Sequence, residues 1–391
     1  MENNKTPKIR FKGFTDPWEQ RKAKDLCSIS TGKSNTQDRV DDGIYPFYVR
    51  SPIVEHSNRY LFDEEAVLTV GDGVGTGKVF HYVNGKYDLH QRVYRMFDFS
   101  EKITAKYFYY YFSNHFYDRV MAMTAKTSVD SVRYEMIADM DIALPEIQEQ
   151  VAISDCFDNL DNLITLHQRK YNKLLNVKKS MLEKMFPKNG SNIPEIRFKG
   201  FTDPWEQRKL GDIADIVGGG TPSTNNADYW DGDIDWYAPA EIGDKIFADS
   251  SERKITKEGF ENCSAKLLPA GSVLFTSRAG IGKMAILRKE SCTNQGFQSI
   301  VPHEGELDSY FIFSRSDELK NYGETVGAGS TFVEVSGKQM SNMNLMMPKS
   351  YSEQIVIGKY FSQLDDLITL HQRELEKLQN IKKSMLEKMF V

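Results

Sequence analysis

Cysteine and long apolar runs are both scarce in this sequence. Four cysteines occur in 391 residues without a Cys-x-x-Cys pair, so neither a zinc site nor a disulfide framework is expected, and the thiols should be reduced and partly buried. No stretch approaches the roughly 18 apolar residues of a membrane span, and the start, MENNKTPKIRFKGF, has no apolar signal core. These absences predict a cytoplasmic protein with no membrane partner.

A surplus of positive charge is also missing. The formal net charge is −5, whereas binding to duplex DNA usually depends on a clear basic footprint. Charge alone therefore leaves DNA binding open and gives it no support. The signatures of catalysis are absent as well, since no HExxH, GxSxG or Cys/His nucleophile arrangement occurs. The chain itself is predicted to be non-catalytic and to hold no metal.

The sequence does contain two repeats that frame two dissimilar inserts. PKIRFKGFTDPWEQRK (7–22) returns as PEIRFKGFTDPWEQRK (194–209), and LDNLITLHQRKYNKLLNVKKSMLEKMF (160–186) returns at 364–390 with 21 of 27 positions identical. The segments between these blocks share only scattered residues. A recent duplication without functional meaning would have left the inserts alike. The constant frames favour the binding of one partner twice, and the divergent inserts favour the recognition of two different targets.

The second repeat predicts long helices with a coiled-coil seam. Apolar and other seam residues recur with alternating spacings of four and three: Leu160, Ile164, His167, Tyr171, Leu174, Lys178, Met181 and Met185, then Leu364, Ile368, His371, Leu375, Leu378, Lys382, Met385 and Met389. From about Pro145 to Phe186 the first helix would be roughly 60 Å long. The histidine in each seam is either a metal ligand or a catalytic residue or, more commonly, a polar residue that fixes the register.

The inserts are predicted to be mixed α/β. The segments 66–70 and 272–277 read as buried strands, each followed by a glycine turn, at 71–78 and 278–283. Gln91 aligns with Gln295, and aromatic helical segments follow at 106–112 and 309–313. Because both inserts share these features, one scaffold with divergent details is expected.

Two motifs resemble catalytic signatures and depart from them. The glycine turns lack the GxxxxGK[ST] pattern, since Asp72 stands five residues before Gly77, so tight strand-to-strand turns are expected instead of phosphate loops. The Asp-Pro-Trp segments at 16–18 and 203–205 resemble the D-P-P-Y signature of amino-methyltransferases, but one proline is missing and no glycine-rich cofactor loop lies upstream. A turn with an anchoring tryptophan is the preferred interpretation.

The ordered set of elements resembles the specificity subunit of type I restriction-modification systems. The resemblance is carried by the RFKGF…W opening of each half, the GGGTPST…YW run at 218–236, SAKLLPAGSVLFTSRAGIGK (264–283), TNQGF (293–297) and the helices that end in KKSMLEKMF. It covers essentially the whole chain. The second insert carries the motifs most clearly, while the first reads STGKSN (30–35) in place of GGGTPST.

The resemblance implies an α+β fold of two mixed α/β target-recognition domains, connected by two long antiparallel coiled-coil helices in a pseudo-two-fold repeat. The expected segments are 1–144 for the first recognition domain with the N-terminal repeat, 145–193 for the first long helix and a linker, 194–347 for the second recognition domain and 348–391 for the second long helix. Each domain would read one half of an asymmetric bipartite site on double-stranded DNA. Two methyltransferase subunits would dock on the frame, and restriction subunits would join. No cofactor is expected in this chain, while S-adenosylmethionine, ATP and Mg belong to the partners.

Candidate residues for DNA contact lie in polar loops of the inserts, because Arg and Lys suit guanine edges and Asn and Gln suit adenine. They are Lys33, Asn35, Gln37, Arg39, Arg50, Lys78, Arg92, Lys126 and Arg133 in the first insert, and Thr221, Ser223, Asn225, Arg278, Lys283, Asn294 and Lys338 in the second. Gln91 and Gln295 are expected to be scaffold, since a shared residue cannot discriminate different targets. The Met-rich helix ends are either core or an adaptable docking surface for a partner: Met181, Met185, Phe186, Met385, Met389 and Phe390.

Two rival hypotheses come from other functional classes. One is a DNA-modifying enzyme that acts alone, which the glycine turns and the Asp-Pro-Trp segments motivate. The other is a coiled-coil scaffold without a DNA role, which the acidic net charge motivates.

Overall fold

The chain divides into two compact units, each described below by itself. The computed structural model describes residues 6–73, 75–124, 131–188, 190–243, 245–278, 280–328 and 334–390. Unit 1 comprises 1–168 with 373–391, and unit 2 comprises 169–372. The boundaries expected at 144, 193 and 347 divide the recognition domains from the helices. The two compact units are divided elsewhere, within the long helices, so the expected boundaries stay a prediction.

Unit 1 is built on a six-stranded sheet. Its elements are β1 (Glu19–Lys22), β2 (Ser28–Thr31), β3 (Tyr45–Tyr48), β4 (Val54–Ser57), β5 (Phe62–Val70), β6 (Phe80–Leu89), β7 (Val93–Phe97), α1 (Ala105–Ala122), α2 (Tyr134–Ala138), β8 (Asp141–Leu144) and the first part of α3 (Ile147–Lys184). The large sheet has the order β2-β7-β5-β6-β3-β4, and β1 pairs separately with β8. Helix α1 contributes Tyr107, Phe108, Phe112 and Phe116 to the core, and Thr104 caps its start by accepting a hydrogen bond from the Tyr107 amide at 3.3 Å.

Unit 2 contains a five-stranded and a three-stranded sheet. Its elements are β9 (Glu206–Lys209), β10 (Ala214–Gly218), β11 (Trp230–Tyr237), β12 (Phe247–Ala248), β13 (Arg253–Ile255), α4 (Lys257–Glu261), β14 (Val273–Phe275), β15 (Met284–Leu287), β16 (Cys292–Thr293), β17 (Gln298–Pro302), α5 (Ser309–Phe313), α6 (Ser316–Gly327), α7 (Gly337–Ser341), β18 (Asn344–Met347) and α8 (Tyr351–Met389), whose final part belongs to unit 1. The sheet orders are β10-β17-β14-β15-β12 and β13-β11-β16, and β9 pairs with β18.

The predicted strands, turns and aromatic helices are confirmed. The segment 66–70 lies in β5 and is fully buried, and β14 occupies 273–275 within the predicted 272–277. Each glycine turn joins two antiparallel strands, β5 to β6 and β14 to β15, whereas a phosphate loop leads from a strand into a helix. The segments 106–112 and 309–313 are helical.

The first sequence repeat forms the same internal clamp in each unit. In unit 1, Arg10 donates two hydrogen bonds to Glu149 at 2.7 and 2.8 Å, and the Trp18 indole donates a third to the same carboxylate at 3.2 Å. The Glu149 side chain is fully buried. The opening segment is thereby fastened to the start of α3, and the interpretation of Asp-Pro-Trp as a turn with an anchoring tryptophan is confirmed.

Unit 2 repeats the clamp with equivalent residues. Arg197 donates to Glu353 at 2.7 and 2.8 Å, and Trp205 donates to it at 3.3 Å. Glu353 lies in the first turn of α8 and is buried. The repeat is therefore used twice for the same structural purpose.

The long helices pack antiparallel within each unit. In unit 1, Phe157 stacks on Phe390 with ring centroids 5.7 Å apart, and Asp161 accepts from Lys382 at 2.5 Å. In unit 2, Phe186 stacks on Phe361 at 6.0 Å, and Lys178 donates to Asp365 at 2.5 Å. The two seam lysines are thus neutralised by an aspartate of the other helix, which explains polar residues in an apolar stripe. The predicted fold class is confirmed.

The helix ends are core, which corrects part of the docking prediction. Met389 and Phe390 belong to the core of unit 1, and Met185 and Phe186 belong to that of unit 2. All four are at most 9% exposed, so these side chains serve the core, and Phe186 also lines a cavity. Met181 and Met385 are only partly buried, and a docking role for these two stays a prediction.

Further expectations concern the seam histidines, the thiols and membranes. His167 and His371 are half-buried, and no group of metal-ligating side chains is found in the described part of the chain.

All four cysteines are free, and burial raises the pKa of Cys27 and of Cys292 to about 12, which keeps these thiols protonated. None of the described helices has both the length and the apolar character that a bilayer requires.

Candidate nucleic-acid interface

Four loop tips meet at one edge of unit 1. They follow β2, β3 and β5, and the fourth is the tight turn between β6 and β7. Backbone hydrogen bonds fix their positions, since the Gly71 amide donates to Arg92 at 2.8 Å, the His90 amide donates to Tyr48 at 3.0 Å and the Gln91 amide donates to Ser34 at 2.9 Å. The tips surround a cavity of about 570 Å³ that is open to solvent. It is lined by Asn35, Thr36, Gln37, Arg50, Asp72, His90, Gln91 and Arg92.

Asp72 stands between two arginines in this cavity. Arg50 Nη1 lies 3.5 Å from Asp72 Oδ1, and Arg92 Nε lies 3.7 Å from Asp72 Oδ2. The arginine side chains are 47% and 64% exposed, while that of Asp72 is 26% exposed. The carboxylate therefore lies at ion-pair distance from two more exposed guanidinium groups, and each group keeps further N–H donors for another acceptor.

His90 forms the neutral floor of the cavity. Its ring is almost fully buried, and its Nδ1 accepts the Arg92 amide hydrogen at 3.0 Å. Burial lowers the pKa of His90, and the positive charge of Arg50 lowers it further. An unprotonated Nδ1 is what this hydrogen bond requires, so the two observations agree.

Gln91 fastens the loop after β2, as expected of a scaffold residue. Its amide donates to Asn35 Oδ1 at 2.6 Å. In unit 2 the Thr221 hydroxyl donates to Gln295 Oε1. The aligned glutamine therefore bonds the equivalent loop, which follows β10. Both loops also approach the neighbouring strand closely: a Cβ at Gly32 would lie 2.1 Å from the Leu89 carbonyl oxygen, and one at Gly219 would lie 2.0 Å from that of Asn294. Only glycine fits these two positions.

Unit 2 repeats the backbone of this site. The Ser277 amide donates to Gly296 at 2.8 Å and the Asn294 amide donates to Tyr237 at 3.0 Å. These bonds match Gly71 to Arg92 and His90 to Tyr48 in unit 1. The match extends to the parallel strand pairs, since Tyr48 faces Leu89 and Tyr237 faces Thr293.

The side chains at matched backbone positions differ sharply. Ser277 accepts from the Val335 amide and Gly71 accepts from the Val132 amide, so the next residues, Arg278 and Asp72, are equivalent. The bridges Asp72–Ser131 and Arg278–Glu334 confirm this register. An acidic residue in unit 1 therefore stands where unit 2 has a basic one. In the same way, Arg92 corresponds to Gly296.

Seven of the predicted contact residues are gathered at these two edges. In unit 1 the cavity collects Asn35, Gln37, Arg50 and Arg92. In unit 2 a Cβ at Gly296 would lie 3.0 Å from Asn294 Oδ1 and 3.5 Å from Arg278 Nε, and Thr221 bonds the adjacent Gln295. Asp72 and His90 were missed from the sequence, because only cationic and amide side chains in the loops were considered. Both residues lie just after strands, β5 and β6, whose ends meet at one edge, and that position was the signal that would have found them.

The other predicted residues lie outside these clusters or are engaged elsewhere. Arg39 pairs with Asp41 at 2.6 Å and with Glu55 at 3.1 Å, and Lys78 Nζ lies over the Tyr117 ring at 4.6 Å. Arg133 precedes α2, and Lys338 lies within the short helix α7. Exposed positions are also occupied by Lys33, Ser223, Asn225 and Lys283. Lys126 lies outside the described residues. A role in DNA contact stays a prediction for all of these residues.

Comparisons with known proteins agree with the repeated architecture. The family model for the type I restriction modification DNA specificity domain matches twice, at residues 15–176 and 202–380. The MjaIX specificity subunit of Methanocaldococcus jannaschii is 34% identical over 190 residues, which are 48% of this chain and 44% of that protein. The EcoDI specificity subunit of Escherichia coli is 19% identical over 404 residues, covering 95% of this chain and 88% of that protein.

A solved structure shares the fold across the whole chain. The crystal structure of a type I restriction-modification system S subunit from M. genitalium superposes with a TM-score of 0.69 at 14% identity, covering 99% of each chain. The alignment to the MjaIX subunit spans less than half of that relative's length. The paired match of the family model decides the family on its own, because 15–176 and 202–380 together make up well over half of the chain. The chain belongs to the type I restriction-modification specificity subunits.

Proposed function

We propose that the chain is the non-catalytic DNA-reading subunit of a type I restriction-modification complex, in which each unit reads one half of an asymmetric bipartite site. The observation that carries this proposal is the contrast at matched backbone positions. Asp72 and Arg92 in unit 1 correspond to Arg278 and Gly296 in unit 2, within frames whose clamps are identical. Different side chains on one scaffold suit the recognition of different bases.

The chemistry of the two clusters supports base reading. Guanidinium groups such as those of Arg50, Arg92 and Arg278 bind guanine O6 and N7 through paired hydrogen bonds, and the amides of Asn35 and Gln37 suit adenine. All of these arise from loops at strand ends, where side chains can reach into a groove. The acidic net charge of −5 is compatible with this role when a basic partner shares the contact with the phosphates.

Exposed apolar residues support the docking of two copies of one methyltransferase subunit. Four pairs occupy equivalent repeat positions and are at least 36% exposed in both copies: Ile9 and Ile196, Val151 and Ile355, Leu163 and Leu367, and Leu166 and Leu370. Exposed apolar positions that occur twice in this way favour a partner that binds twice. Methylation with S-adenosylmethionine belongs to that partner, and ATP- and Mg-dependent translocation and cleavage belong to restriction subunits that join the complex.

Exchange of one insert tests the reading function. Residues 23–143 are replaced by the matching region of a relative, and the adenines that the complex methylates are mapped by sequencing. We expect one half of the methylated sequence to change while the other half stays the same. A change in both halves, or in neither, contradicts the proposal.

The long helices are proposed to set the gap between the half-sites. At about 1.5 Å per residue a helix such as α3, with 38 residues, is about 57 Å long, and half-sites read on one face of B-DNA lie about 34–36 Å apart. Four residues inserted near Asn176 should alter the gap or abolish methylation. Full activity with an unchanged gap argues against the spacer role.

A stand-alone DNA-modifying enzyme is the alternative, and it has a direct test. The purified chain is incubated with DNA, S-adenosylmethionine and magnesium without any partner. Methylation or cleavage under these conditions favours the alternative. A coiled-coil scaffold without a DNA role predicts that salt-sensitive DNA binding is missing even when the methyltransferase subunit is present.

A further inference from the structure

The matched strand-end position carries opposite charges in the two units, and only one of the two residues is enclosed by partners. Both carboxylate oxygens of Asp72 are approached by a guanidinium group, Oδ1 by Arg50 and Oδ2 by Arg92. Among the described residues, Arg278 takes part in no ion pair, and the pairs on either side of it along the chain are those of Lys257 and Arg288. The two positions therefore share a backbone and offer different chemistry to a ligand.

We infer that Asp72 is a specificity-determining positioning residue, which orients Arg50 and Arg92 toward guanine in the first half-site, whereas Arg278 contacts guanine directly at the same position in unit 2. This inference rests on the proposed DNA-reading function. It deepens that function by assigning the base preference of each unit to named side chains.

The geometry explains why Asp72 positions the arginines and does not itself contact a base. A carboxylate that reads DNA must accept a hydrogen bond from cytosine N4. The Asp72 side chain is only 26% exposed, whereas those of Arg50 and Arg92, each within 3.7 Å of one of its oxygens, are 47% and 64% exposed, so the arginines are the groups that a base meets. The buried ring of His90 closes the cavity on the protein side, and its Nδ1 is occupied by the Arg92 amide.

Positioning matters because two arginines with the same charge share one small cavity. Without the carboxylate they would repel each other, and each long side chain would lose the orientation that paired hydrogen bonds to one base edge require. An arginine has five N–H donors, so the contact with Asp72 leaves donors available to guanine. The carboxylate thus contributes to specificity without adding affinity of its own.

The test is Asp72→Asn in the full chain combined with its methyltransferase subunit. The complex methylates a library of duplexes with randomised sequence, and the modified sequences are read. Asparagine keeps the size of the side chain and removes its charge. We expect discrimination at one or two positions of the first half-site to fall roughly tenfold or more, which is the scale of one paired arginine–guanine contact, while the second half-site is unchanged.

Asp63→Asn is the matched control. Asp63 is an exposed carboxylate near the opposite end of β5 in the same unit, and this variant should retain the wild-type sequence preference. A general loss of stability from Asp72→Asn would lower methylation of every sequence equally, so a change in base preference separates positioning from folding. An unchanged first half-site with Asp72→Asn overturns the inference.

Two further variants complete the test. Arg50→Gln should relax the same positions as Asp72→Asn, and the double variant should add little, because both changes remove one coupled unit. Arg278→Gln should relax only the second half-site, and an effect on the first half would contradict the assignment. If the wild-type complex recognises no bipartite sequence, the proposed function fails, whereas normal wild-type recognition with an unaltered Asp72→Asn complex rejects this inference alone.

Discussion

At the scale of single residues, Glu149 and Glu353 each join an opening segment to a long helix. A buried carboxylate is stable here because one guanidinium and one indole N–H satisfy it. The same arrangement in both units explains why arginine and tryptophan recur at fixed positions of the first repeat. These residues are preserved by their internal contacts, and the exposed residues between them are the ones available to a partner.

Replacing Glu149 by Gln should destabilise unit 1 alone. The change leaves the buried Arg10 guanidinium without its counter-charge, which costs about 3 kcal/mol. Because two units need not unfold together, hydrogen exchange resolved along the chain is the appropriate measurement, and faster exchange is expected in unit 1. Glu146→Gln, at an exposed position of the same segment, is the control and should have little effect. Equal loss of protection in both units contradicts the prediction.

Three histidines, His90 buried and His81 and His115 half-buried, should make unit 1 sensitive to acid. Burial lowers the pKa of His81, of His90 and of His115 below the ordinary value of 6.5. As the pH falls through about 6.5, the unfolded chain binds protons that the folded unit does not, so the stability decreases. Hydrogen exchange at pH 7.5 and at pH 5.5 measures this effect. His115→Gln should reduce this pH dependence. If unit 1 instead becomes more stable between pH 7.5 and pH 5.5, the prediction is wrong.

Single residues of the site were predictable only in part. Asn35, Gln37, Arg50, Arg92, Thr221, Arg278 and Asn294 were found because their chemistry suits base edges and the loops are polar. Asp72 was missed, since a carboxylate is not expected where DNA binds until its two arginines are seen beside it. The distances that reveal this arrangement depend on loops far apart in the sequence.

At the scale of elements, the helices were the most predictable part of the fold. The seam spacing predicts a helix from about 145 to 186, and α3 spans Ile147–Lys184. Strand order was beyond reach, because pairing such as that of β2 with β7 joins segments far apart in the chain. The sequence also left open whether the Met-rich ends are core or surface, since both uses require the same apolar residues.

The end of α8 should be essential for unit 1. Phe390 stacks on Phe157 and meets Tyr107 at 5.9 Å and Tyr111 at 5.7 Å between ring centroids. Phe390→Ala should cost about 3 kcal/mol through the cavity that it leaves. Chain-resolved hydrogen exchange should therefore increase in α1 and leave unit 2 unchanged.

Ile381→Ala is the control for this prediction. Ile381 lies in α8, which ends one residue before Phe390, and is 38% exposed, so its truncation should change the stability by about 0.5 kcal/mol or less. If the Phe390 variant resembles this control, the helix end is not part of the core of unit 1.

At the scale of the whole molecule, the two helix ends should be interchangeable. Residues 178–186 and 382–390 are the same nine residues, KKSMLEKMF. Lys178 and Lys382 each pair with an aspartate of the other helix. The amides of Ile9 and Ile196 donate to Lys388 and to Lys184, which are also equivalent. A core that accepts one copy should accept the other.

A half-length chain, residues 1–190, should therefore form a homodimer. In each copy, 169–186 would take the place that 373–390 occupies in unit 1 of the full chain. Analytical ultracentrifugation should give twice the mass of the half-chain. Phe186→Ala should prevent the association, because this side chain would then fill the position of Phe390. A stable, folded monomer contradicts the prediction.

The position of Met389 and Phe390 in the core of unit 1 also has a consequence for biosynthesis. A ribosome releases residues 1–168 early, yet this part lacks its closing helix until residues 373–390 have also been made. During that interval its apolar surface is open, which is when nascent chains are most prone to aggregate or to recruit chaperones. Unit 1, whose synthesis begins first, is thus completed only after unit 2.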